Sequence, residues 1–482
     1  MFNLKNHQID SFFCDIDGKK LDKEQIKAVK DENKELLVIA GAGSGKTLTI
    51  VGKVKYLIEK LGYQEDEILC LSFTNETVNS LKEKIPFNVD IYTFHKLALN
   101  ILKNNNYNYT ISQEHLLSYI INEYFYSFVN KTFLEHYFND TYSVIINSEK
   151  LIRLKELILT FIHKIKCNNI TVNEIKLLRT KVDEHQTYFL LFALEIFLLY
   201  EEELLSYGRI DFDDMILLAT NHVKTSEYIK KYRYIIIDEY QDISLIRFNL
   251  IYEILKRIDA KIMCVGDDYQ AIYGFSGSNV SLFVEFFKYF PKAKQLILKN
   301  TYRNSYELIK TSCKFVMKNP FQIRKHICAN FFCKNPIVLV YYDNNYLDTY
   351  YNLLNYLYLE NQKEIMVLAR YNKDLDEVQK REHKGINLRY LTVHMSKGLE
   401  SENVILLKMQ DDYLGFPSKI QDDTMLELLN KNKKEMEYAE ERRLFYVALT
   451  RTKKRIYILV PRNNPSIFIK EIKRKCVELL FK

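Results

Sequence analysis

A glycine-rich turn near the N-terminus constrains the fold more than any other feature of the sequence. Residues 40–47 are AGAGSGKT. They stand at the end of the apolar run 36–40 and directly before the apolar residues that begin at Leu48. An apolar run that ends in such a turn is typical of a buried strand, and strand, glycine loop and helix in that order are the setting of a phosphate-binding loop. Ala40 stands where the strict pattern has its first glycine. The sequence therefore predicts an α/β domain with a phosphate-binding loop.

The loop supplies the groups that hold the phosphates of a nucleotide. Backbone N–H groups converge on a phosphate only where side chains do not intrude, and the following helix adds the positive end of its dipole. Lys46 is expected to contact the β- and γ-phosphates, and Thr47 to hold Mg²⁺. The predicted nucleotide ligands from this loop are Gly41, Ala42, Gly43, Ser44, Gly45, Lys46 and Thr47.

Acidic residues follow a second apolar run, at 234–237. A phosphate-binding loop needs a metal-binding acid on a neighbouring strand, and Asp238 stands where that acid is required. The adjacent Glu239 is expected to orient the attacking water or to take its proton, which favours hydrolysis over binding alone. The alternative is that both acids only cap the end of a strand.

A third apolar run, 261–265, leads into the sequence GDDYQAIYGFSG. We expect Gln270 in this segment to distinguish a γ-phosphate from its absence, because a neutral amide can bond to one oxygen of that group. The residue would then report hydrolysis to the rest of its loop.

Composition and charge fit a globular protein in a reducing compartment. The 482 residues include 69 Lys and Arg against 62 Asp and Glu, and this mild excess suits a polyanionic partner without requiring one. Eight scattered cysteines do not resemble a disulfide framework or a closed zinc site, so no structural metal is expected. The apolar run 189–200 is too short to span a bilayer, and the first residues carry no signal-peptide pattern. The sequence predicts a soluble, cytoplasmic protein without membrane contacts.

The segments around these strand ends resemble the motifs of UvrD/Rep-type superfamily 1 DNA helicases, in the same order along the chain. The resemblance covers about residues 18–98 and 205–460, and its longest matching segment, 440–451, is EERRLFYVALTR. Two details resemble the helicase IV branch of that family: FSGS at 275–278, where better-known members have Trp-Arg-Gly, and YLGFPS at 413–418. The resemblance implies an α/β fold with two RecA-like P-loop NTPase domains and a helical insertion in the first.

The resemblance also implies roles at the nucleotide. Gln25 would select the adenine of ATP, Tyr302 would stack on that base, and Glu400 would contact the ribose. Arg303 and Arg451 would contact the γ-phosphate from the second domain, where two guanidinium groups neutralise charge that develops during hydrolysis. The expected catalytic residues are Lys46, Glu239, Gln270, Arg303 and Arg451, and the expected cofactors are ATP and Mg²⁺ at Thr47 and Asp238.

A track for single-stranded DNA follows from the same resemblance. Stacked aromatic rings and phosphate contacts hold a single strand, although in so aromatic a chain any one ring could instead belong to a core. Because these contacts do not sense the 2′-OH, the sequence leaves RNA open as a substrate. The expected track residues are Phe73, Thr93, His95, Tyr273, Phe275, Arg370, Asn372 and His394.

The motifs divide the chain into four parts. The first RecA-like domain is predicted at 1–101 and 205–295, the helical insertion at 102–204, and the second RecA-like domain at 296–482. Helical runs are expected at 151–166 and 188–205. Near 373–388 the chain leaves room for one helix at most, so the family's second accessory domain is expected to be reduced or absent.

The function predicted from the sequence is ATP-dependent translocation along single-stranded DNA, or partly single-stranded duplex, by a helicase that moves 3′ to 5′. Hydrolysis would be coupled to closure of the cleft between the RecA-like domains. The alternative is an ATP-driven remodeller or ATP-gated switch that acts on a protein–nucleic acid complex in repair or phage defence, with a protein partner.

Overall fold

Two six-stranded parallel sheets form the centres of two lobes. The computed structural model describes residues 11–104, 109–113, 115–127, 131–225, 230–343, 345–380, 385–419, 424–429 and 436–480. The strands are β1 (Glu35–Ala40), β2 (Ile68–Ser72), β3 (Asp90–Thr93), β4 (Thr110–Ile111), β5 (Arg209–Ile210), β6 (Tyr234–Ile237), β7 (Lys261–Gly266), β8 (Lys294–Leu298), β9 (Asn300–Thr301), β10 (Cys328–Ala329), β11 (Ile337–Tyr342), β12 (Glu364–Ala369), β13 (Asn387–Thr392), β14 (Ser401–Leu406), β15 (Thr452–Pro461) and β16 (Val477–Leu479).

Helices cover both sheets and fill the segment between β4 and β5. They are α1 (Lys23–Lys30), α2 (Lys46–Glu59), α3 (Asn75–Lys84), α4 (Phe94–Asn104), α5 (Leu116–Tyr126), α6 (Lys131–Phe138), α7 (Tyr142–Ile145), α8 (Glu149–Cys167), α9 (Val172–Leu178), α10 (Glu184–Ser206), α11 (Phe212–Thr225), α12 (Leu245–Arg257), α13 (Ser281–Val284), α14 (Phe286–Tyr289), α15 (Tyr306–Val316), α16 (Tyr346–Leu359), α17 (Asn372–Val378), α18 (Thr424–Glu427), α19 (Ala439–Leu449) and α20 (Ile467–Ile472).

The first lobe is built on the sheet β3-β2-β6-β7-β1-β8, and the second on β13-β12-β14-β15-β11-β16. The apolar runs of the sequence form the strands β1, β6 and β7, which are neighbours and are buried along nearly their whole length. Strands of a parallel sheet are covered on both faces, which explains why these runs are apolar throughout instead of alternating. The predicted α/β class with two RecA-like domains is therefore confirmed.

The carboxyl ends of the three strands lie along one edge of the first sheet. The phosphate-binding loop follows β1, the acids follow β6, and the Gln270 segment follows β7. Ligands of open α/β sheets bind outside this edge, so neighbouring strands bring together groups that are far apart in sequence.

The helical insertion leaves the first lobe at β4 and returns at β5, and these two short strands pair in parallel at its base. The predicted helical runs are confirmed as α8 and α10, whose apolar faces pack in a shared core. Lys166 at the end of α8 forms ion pairs with Asp211 and Asp214, at 2.6 and 2.9 Å. These two acids also cap α11 reciprocally, through backbone contacts of 2.8 and 3.1 Å.

Two predicted boundaries fall inside elements. The boundary at residue 295 divides β8, because that strand pairs with β1 of the first sheet as far as Leu298. The boundary at residue 102 falls within α4, which continues to Asn104. Near 373–388 the structure has the seven-residue helix α17 followed by β13, and residues 381–384 lie outside the described chain. Within the described ranges, no helix combines the length and the apolar character needed to cross a membrane.

Candidate nucleotide site and nucleic-acid track

Two glycines of the phosphate-binding loop have backbone conformations that disfavour other residues. Gly43 has φ +72° and Gly45 has φ +78°, both in the left-handed region. A Cβ atom on Gly43 would lie 2.5 Å from Cβ of Arg303, and one on Gly45 would lie 2.5 Å from Nε2 of Gln25. The loop is therefore kept bare on two sides, and α2 begins directly after it at Lys46.

Lys46 and Glu239 form an ion pair of 2.8 Å at the centre of the site. The same oxygen of Glu239 accepts a hydrogen bond of 2.6 Å from Nε2 of Gln241. Burial raises the pKa of Glu239, but the charges of Lys46 and Lys397 outweigh it and lower the pKa below its usual value. Glu239 also has φ +50°, a conformation that costs a non-glycine residue about 1–3 kcal/mol.

Asp238 is buried at the end of β6, and it accepts a hydrogen bond of 2.8 Å from the backbone of Glu239. Burial and the charge of Glu239 raise the pKa of Asp238. Thr47 lies in the first turn of α2. A hydroxyl and a carboxylate are the hard oxygen donors that Mg²⁺ prefers, so the donor set at these two positions fits this ion.

Arg451 comes from the second lobe and is fully buried, with 0 % of its surface exposed. It donates hydrogen bonds to Oε1 of Gln270 at 3.1 Å and to the carbonyls of Val447 and Leu399 at 3.0 and 3.2 Å. Burial and the charge of Arg303 lower the pKa of Arg451 to about 9. Because the hydrogen-bond partners of this buried cation are neutral, binding of an anion beside it is favoured.

Arg303 and Glu400 contact each other in this structure. Nε of Arg303 lies 2.6 Å from Oε2 of Glu400, whose other oxygen lies 2.9 Å from Nζ of Lys453. Both residues follow the first sheet in sequence. Asn304, next to Arg303, donates to the carbonyls of Thr450 and Thr452 in the second lobe, at 3.3 and 2.7 Å. The residues expected at the γ-phosphate and at the ribose are therefore adjacent, and their ion pair must open if each is to bind its own part of a nucleotide.

Gln25 and Tyr302 lie on the other side of the loop. The Gln25 amide donates to the carbonyl of Ser44 at 3.2 Å and accepts from the backbone of Asp22 at 2.9 Å. One N–H and one lone pair of this amide remain for a further partner. The Tyr302 hydroxyl donates to Asp22 at 2.7 Å, and its ring is half exposed.

Four of the eight predicted track residues line one cleft of about 570 Å³ between the helical insertion and the second lobe. Phe275 packs edge-on against His394 at 5.3 Å, and Tyr273 lies 6.1 Å from Phe275 without lining the cleft. Burial, with the charges of Arg370 and Lys397, lowers the pKa of His394 to about 3. The track residues that line the cleft are Phe275, Arg370, Asn372 and His394.

Phe73 follows β2, Thr93 ends β3, and His95 lies in the first turn of α4. None of the three is among the residues that line that cleft. The Phe73 ring packs against Phe94 at 5.9 Å and lies under the guanidinium group of Arg247 at 4.7 Å. Thr93 accepts a hydrogen bond of 3.2 Å from the backbone of Lys96 in α4. Burial and the charge of Arg247 lower the pKa of His95 to about 4, so its ring is neutral at pH 7.

Sequence reasoning missed the contacts that join the two lobes. Lys397 of the second lobe forms an ion pair with Asp242 and donates to the carbonyl of Gln270 at 2.8 Å. Lys325 of the second lobe is buried between Asp267 and Asp268. Each pair joins residues more than fifty positions apart, and no local pattern marks such partners.

The wall of the cleft that the helical insertion supplies was also missed. It comes from α6 and α8 of the insertion, whose lysines and aromatic residues have the spacing of ordinary amphipathic helices. The side chains of this wall include Tyr137, Phe138, Lys150, Arg153 and Lys164.

The fold and the site define a P-loop NTPase with two RecA-like domains. The sequence profile of the UvrD/REP helicase N-terminal domain matches residues 21–291, which is more than half of the chain. The chain therefore belongs to the UvrD/REP helicase family.

Individual members of this family are similar over different shares of the chain. DNA helicase IV of Escherichia coli (strain K12) is 27% identical, over 96% of this chain and 71% of that protein. ATP-dependent DNA helicase Rep of the same organism is 28% identical, over 64% of this chain and 45% of its own length. DNA helicase II of Rickettsia typhi (strain ATCC VR-144 / Wilmington) is 29% identical, over 62% and 45%. The chain thus spans less than half of the last two proteins.

Proposed function

We propose that this protein is an ATP-dependent helicase that moves along single-stranded DNA, in the 3′ to 5′ direction, and couples ATP hydrolysis to closure of the cleft between its lobes. The observation that carries the proposal is the position of Arg451. This buried residue of the second lobe donates to Gln270 of the first lobe, at the edge of the sheet where Lys46 and Glu239 meet. The direction of movement follows from the family resemblance.

The phosphates would be held by the backbone of the loop and by Lys46. Thr47 and Asp238 would hold Mg²⁺, which when bound neutralises charge on phosphate oxygens. Glu239 is ionised and lies beside Lys46, so it can orient a water molecule and accept its proton when the lysine turns to the phosphate.

Cleft closure would follow from the two arginines. Arg303 and Arg451 belong to the second lobe and would contact the γ-phosphate, while Gln270 would sense that group from the first lobe. Guanidinium groups placed in this way raise hydrolysis rates by about 10³–10⁵. Loss of the γ-phosphate removes the anion to which both lobes bond, and the cleft relaxes.

The rest of the nucleotide would lie between Gln25, Tyr302 and Glu400. Tyr302 is half exposed and can stack on adenine, and the free N–H and lone pair of Gln25 can bond to the edge of the base. Glu400 can accept from a ribose hydroxyl once Arg303 has moved to the phosphate.

The DNA strand would pass through the cleft lined by Phe275, His394 and Arg370, and along Phe73, Thr93 and His95 of the first lobe. Stacking of a base on such a ring contributes about 1–3 kcal/mol. Because burial keeps both histidines neutral, they would act as rings or hydrogen-bond partners instead of phosphate-binding cations.

The test is ATP hydrolysis with and without single-stranded DNA. We expect the wild-type protein to be stimulated by DNA, Glu239→Gln to lose turnover by about 10²–10⁴ while still binding ATP, and Lys46→Ala to lose both. Loss of the carboxylate removes the base but leaves the phosphate contacts, which is why the two variants should differ. Normal turnover by Glu239→Gln would contradict its catalytic role.

Duplexes that carry a 3′ or a 5′ single-stranded tail test the direction. Unwinding that requires the 3′ tail is expected, since a motor that moves 3′ to 5′ must load on that strand. Hydrolysis that responds to a protein but not to DNA would instead support a remodeller or switch that acts on a protein–nucleic acid complex.

A further inference from the structure

We infer that Lys325 is a positioning residue for Gln270: it enters from the second lobe, neutralises the paired carboxylates of Asp267 and Asp268, and so holds the Gln270 amide in the orientation that meets Arg451. The inference rests on the proposed function, in which Gln270 and Arg451 act on the γ-phosphate. It adds a residue outside the nucleotide site to the group that prepares hydrolysis.

The three charged side chains form a closed unit. Lys325, Asp267 and Asp268 each have fully buried side chains, and Nζ of Lys325 contacts Asp267 and lies 2.6 Å from Asp268. The ammonium group also lies 3.7 Å from the centre of the Tyr269 ring. Two adjacent buried carboxyl groups are unfavourable in a low dielectric, and the ammonium group that contacts both of them offsets this cost.

Asp267 and Asp268 differ in the other hydrogen bonds that they accept. Asp268 accepts from Nε2 of Gln322 and from the backbone of Ile323, both at 2.7 Å, and these contacts remain within the segment that carries Lys325. Asp267 instead accepts from Nε2 of Gln270 at 2.6 Å. Only one of the two carboxylates therefore leads to the nucleotide site.

The bond to Asp267 fixes which end of the Gln270 amide faces the arginine. A carboxylate accepts only from the NH₂ end, so the amide oxygen is directed away from Asp267. That oxygen accepts from Nη2 of Arg451 at 3.1 Å. If Lys325 were lost, repulsion between Asp267 and Asp268 would displace the carboxylate that sets this orientation.

The charge of Asp267 also acts on the site directly. It contributes to raising the pKa of Lys46, where burial is the largest, opposing effect. The same charge acts on Arg451. Lys325 thus contacts the carboxylate of Asp267, whose charge acts on both Lys46 and Arg451.

The first test is a double-mutant cycle in the full chain, measured as DNA-stimulated ATP hydrolysis. We expect Lys325→Met to lower kcat on the order of 10²-fold, because small misplacements near reacting groups have effects of that size, with a smaller change in the KM for ATP. In a Gln270→Ala background the same substitution should lower kcat by no more than about twofold, since the residue through which it acts is gone. Equal losses in both backgrounds would overturn the inference.

The second test uses near-isosteric variants and remains informative if Lys325→Met does not fold. Asp267→Asn and Asp268→Asn remove equally buried carboxylates that share the same lysine, but only Asp267 bonds to Gln270. We expect a kcat loss on the order of 10²-fold for Asp267→Asn and no more than about twofold for Asp268→Asn. Equal losses would show that the unit only joins the lobes, and would overturn the inference.

Wild-type behaviour separates this inference from the proposed function. If the wild-type protein hydrolyses ATP and Glu239→Gln does not, the proposed function stands and additive cycles overturn the positioning role alone. If the wild-type protein does not hydrolyse ATP in the presence of DNA, both are overturned.

Discussion

Two buried arginines of one segment show how partners decide what a charge does. Arg442 of α19 forms a bidentate ion pair with Glu471, at 2.7 and 3.0 Å, and lies over the ring of Phe315 at 4.4 Å. Arg451, two residues beyond the end of α19, bonds to two carbonyls, an amide and the hydroxyl of Thr450. The first charge is neutralised within its own lobe, whereas the second is directed at the other lobe.

This difference predicts that removal of Arg451 lowers ATP turnover, whereas removal of Arg442 lowers the stability of the fold. Arg451→Met should lower ATP turnover by about 10³ or more, because in the proposed function the γ-phosphate then loses one of its two guanidinium groups. The free energy of unfolding without nucleotide should change by less than about 2 kcal/mol, since the cost of burying an unneutralised charge offsets the lost hydrogen bonds. Urea unfolding and steady-state hydrolysis measure the two quantities.

Arg442→Met is the matched control. It removes an equally buried guanidinium group and the bidentate ion pair that this group forms, and leaves Glu471 with the 3.0 Å contact to Lys318, so it should destabilise the fold more than Arg451→Met does. Folded Arg442→Met protein should keep its turnover. A large loss of stability in Arg451→Met would mean that this residue is mainly structural.

At the scale of elements, the sequence predicted the strands well because glycines and acids mark their ends. The apolar runs at 36–40, 234–237 and 261–265 lie within β1, β6 and β7, and the predicted helical residues Leu444 and Val447 are buried in α19. Parallel strands bury both faces, so their apolar runs are visible without an alignment.

The partners of the site residues were not predictable in the same way. The pair of Arg303 with Glu400, and that of Lys325 with Asp267 and Asp268, depend on how the second lobe lies against the first. A lysine is typical of a solvated surface, and neither Arg324 nor His326 beside Lys325 indicates that it is buried.

The end of α8 determines where the Phe275 turn lies. Cys167 packs so closely on Gly277 that a Cβ atom there would lie 2.5 Å from the cysteine sulfur, and that sulfur is 3.7 Å from the carbonyl of Ser276. Gly277 also has φ +85°. The helical insertion thus holds the turn that presents Phe275 to the cleft.

We expect Phe275→Ala to weaken binding of single-stranded DNA by about 1–3 kcal/mol, the contribution of one stacked base, and to affect hydrolysis without DNA less. Phe287→Ala is the matched control, because its ring is 43% exposed against 40% for Phe275 and it lies in α14, outside the cleft. Fluorescence anisotropy with a labelled oligonucleotide measures the difference. Equal affinities for the two variants would return Phe275 to a packing role.

At the scale of the whole molecule, the two lobes are joined through the helical insertion as well as through the candidate nucleotide site. The short helix α18 belongs to the second lobe in sequence, but Met425, Leu426 and Leu429 are buried in the core formed by α5 to α10. Beside this contact, the guanidinium group of Arg153 in α8 lies 4.6 Å from the centre of the Tyr413 ring. We therefore expect a movement of the second lobe to displace the insertion and to change the cleft that Phe275 lines.

Loosening this contact should weaken unwinding of duplex DNA while ATP hydrolysis continues. Met425 is buried in this core and is not among the residues that line the cleft, whereas Leu426 is. Met425→Ala leaves a cavity between α18 and the insertion and should cost about 2–5 kcal/mol in local stability, so the insertion no longer follows the second lobe. We expect faster amide hydrogen exchange in α8 and weaker unwinding of tailed duplexes, with DNA-stimulated ATP hydrolysis largely retained. Leu205→Ala, at a residue of α10 that is 83% exposed, is the matched control and should change none of these. Equal loss of hydrolysis and unwinding in Met425→Ala would show that the insertion acts on the nucleotide site instead.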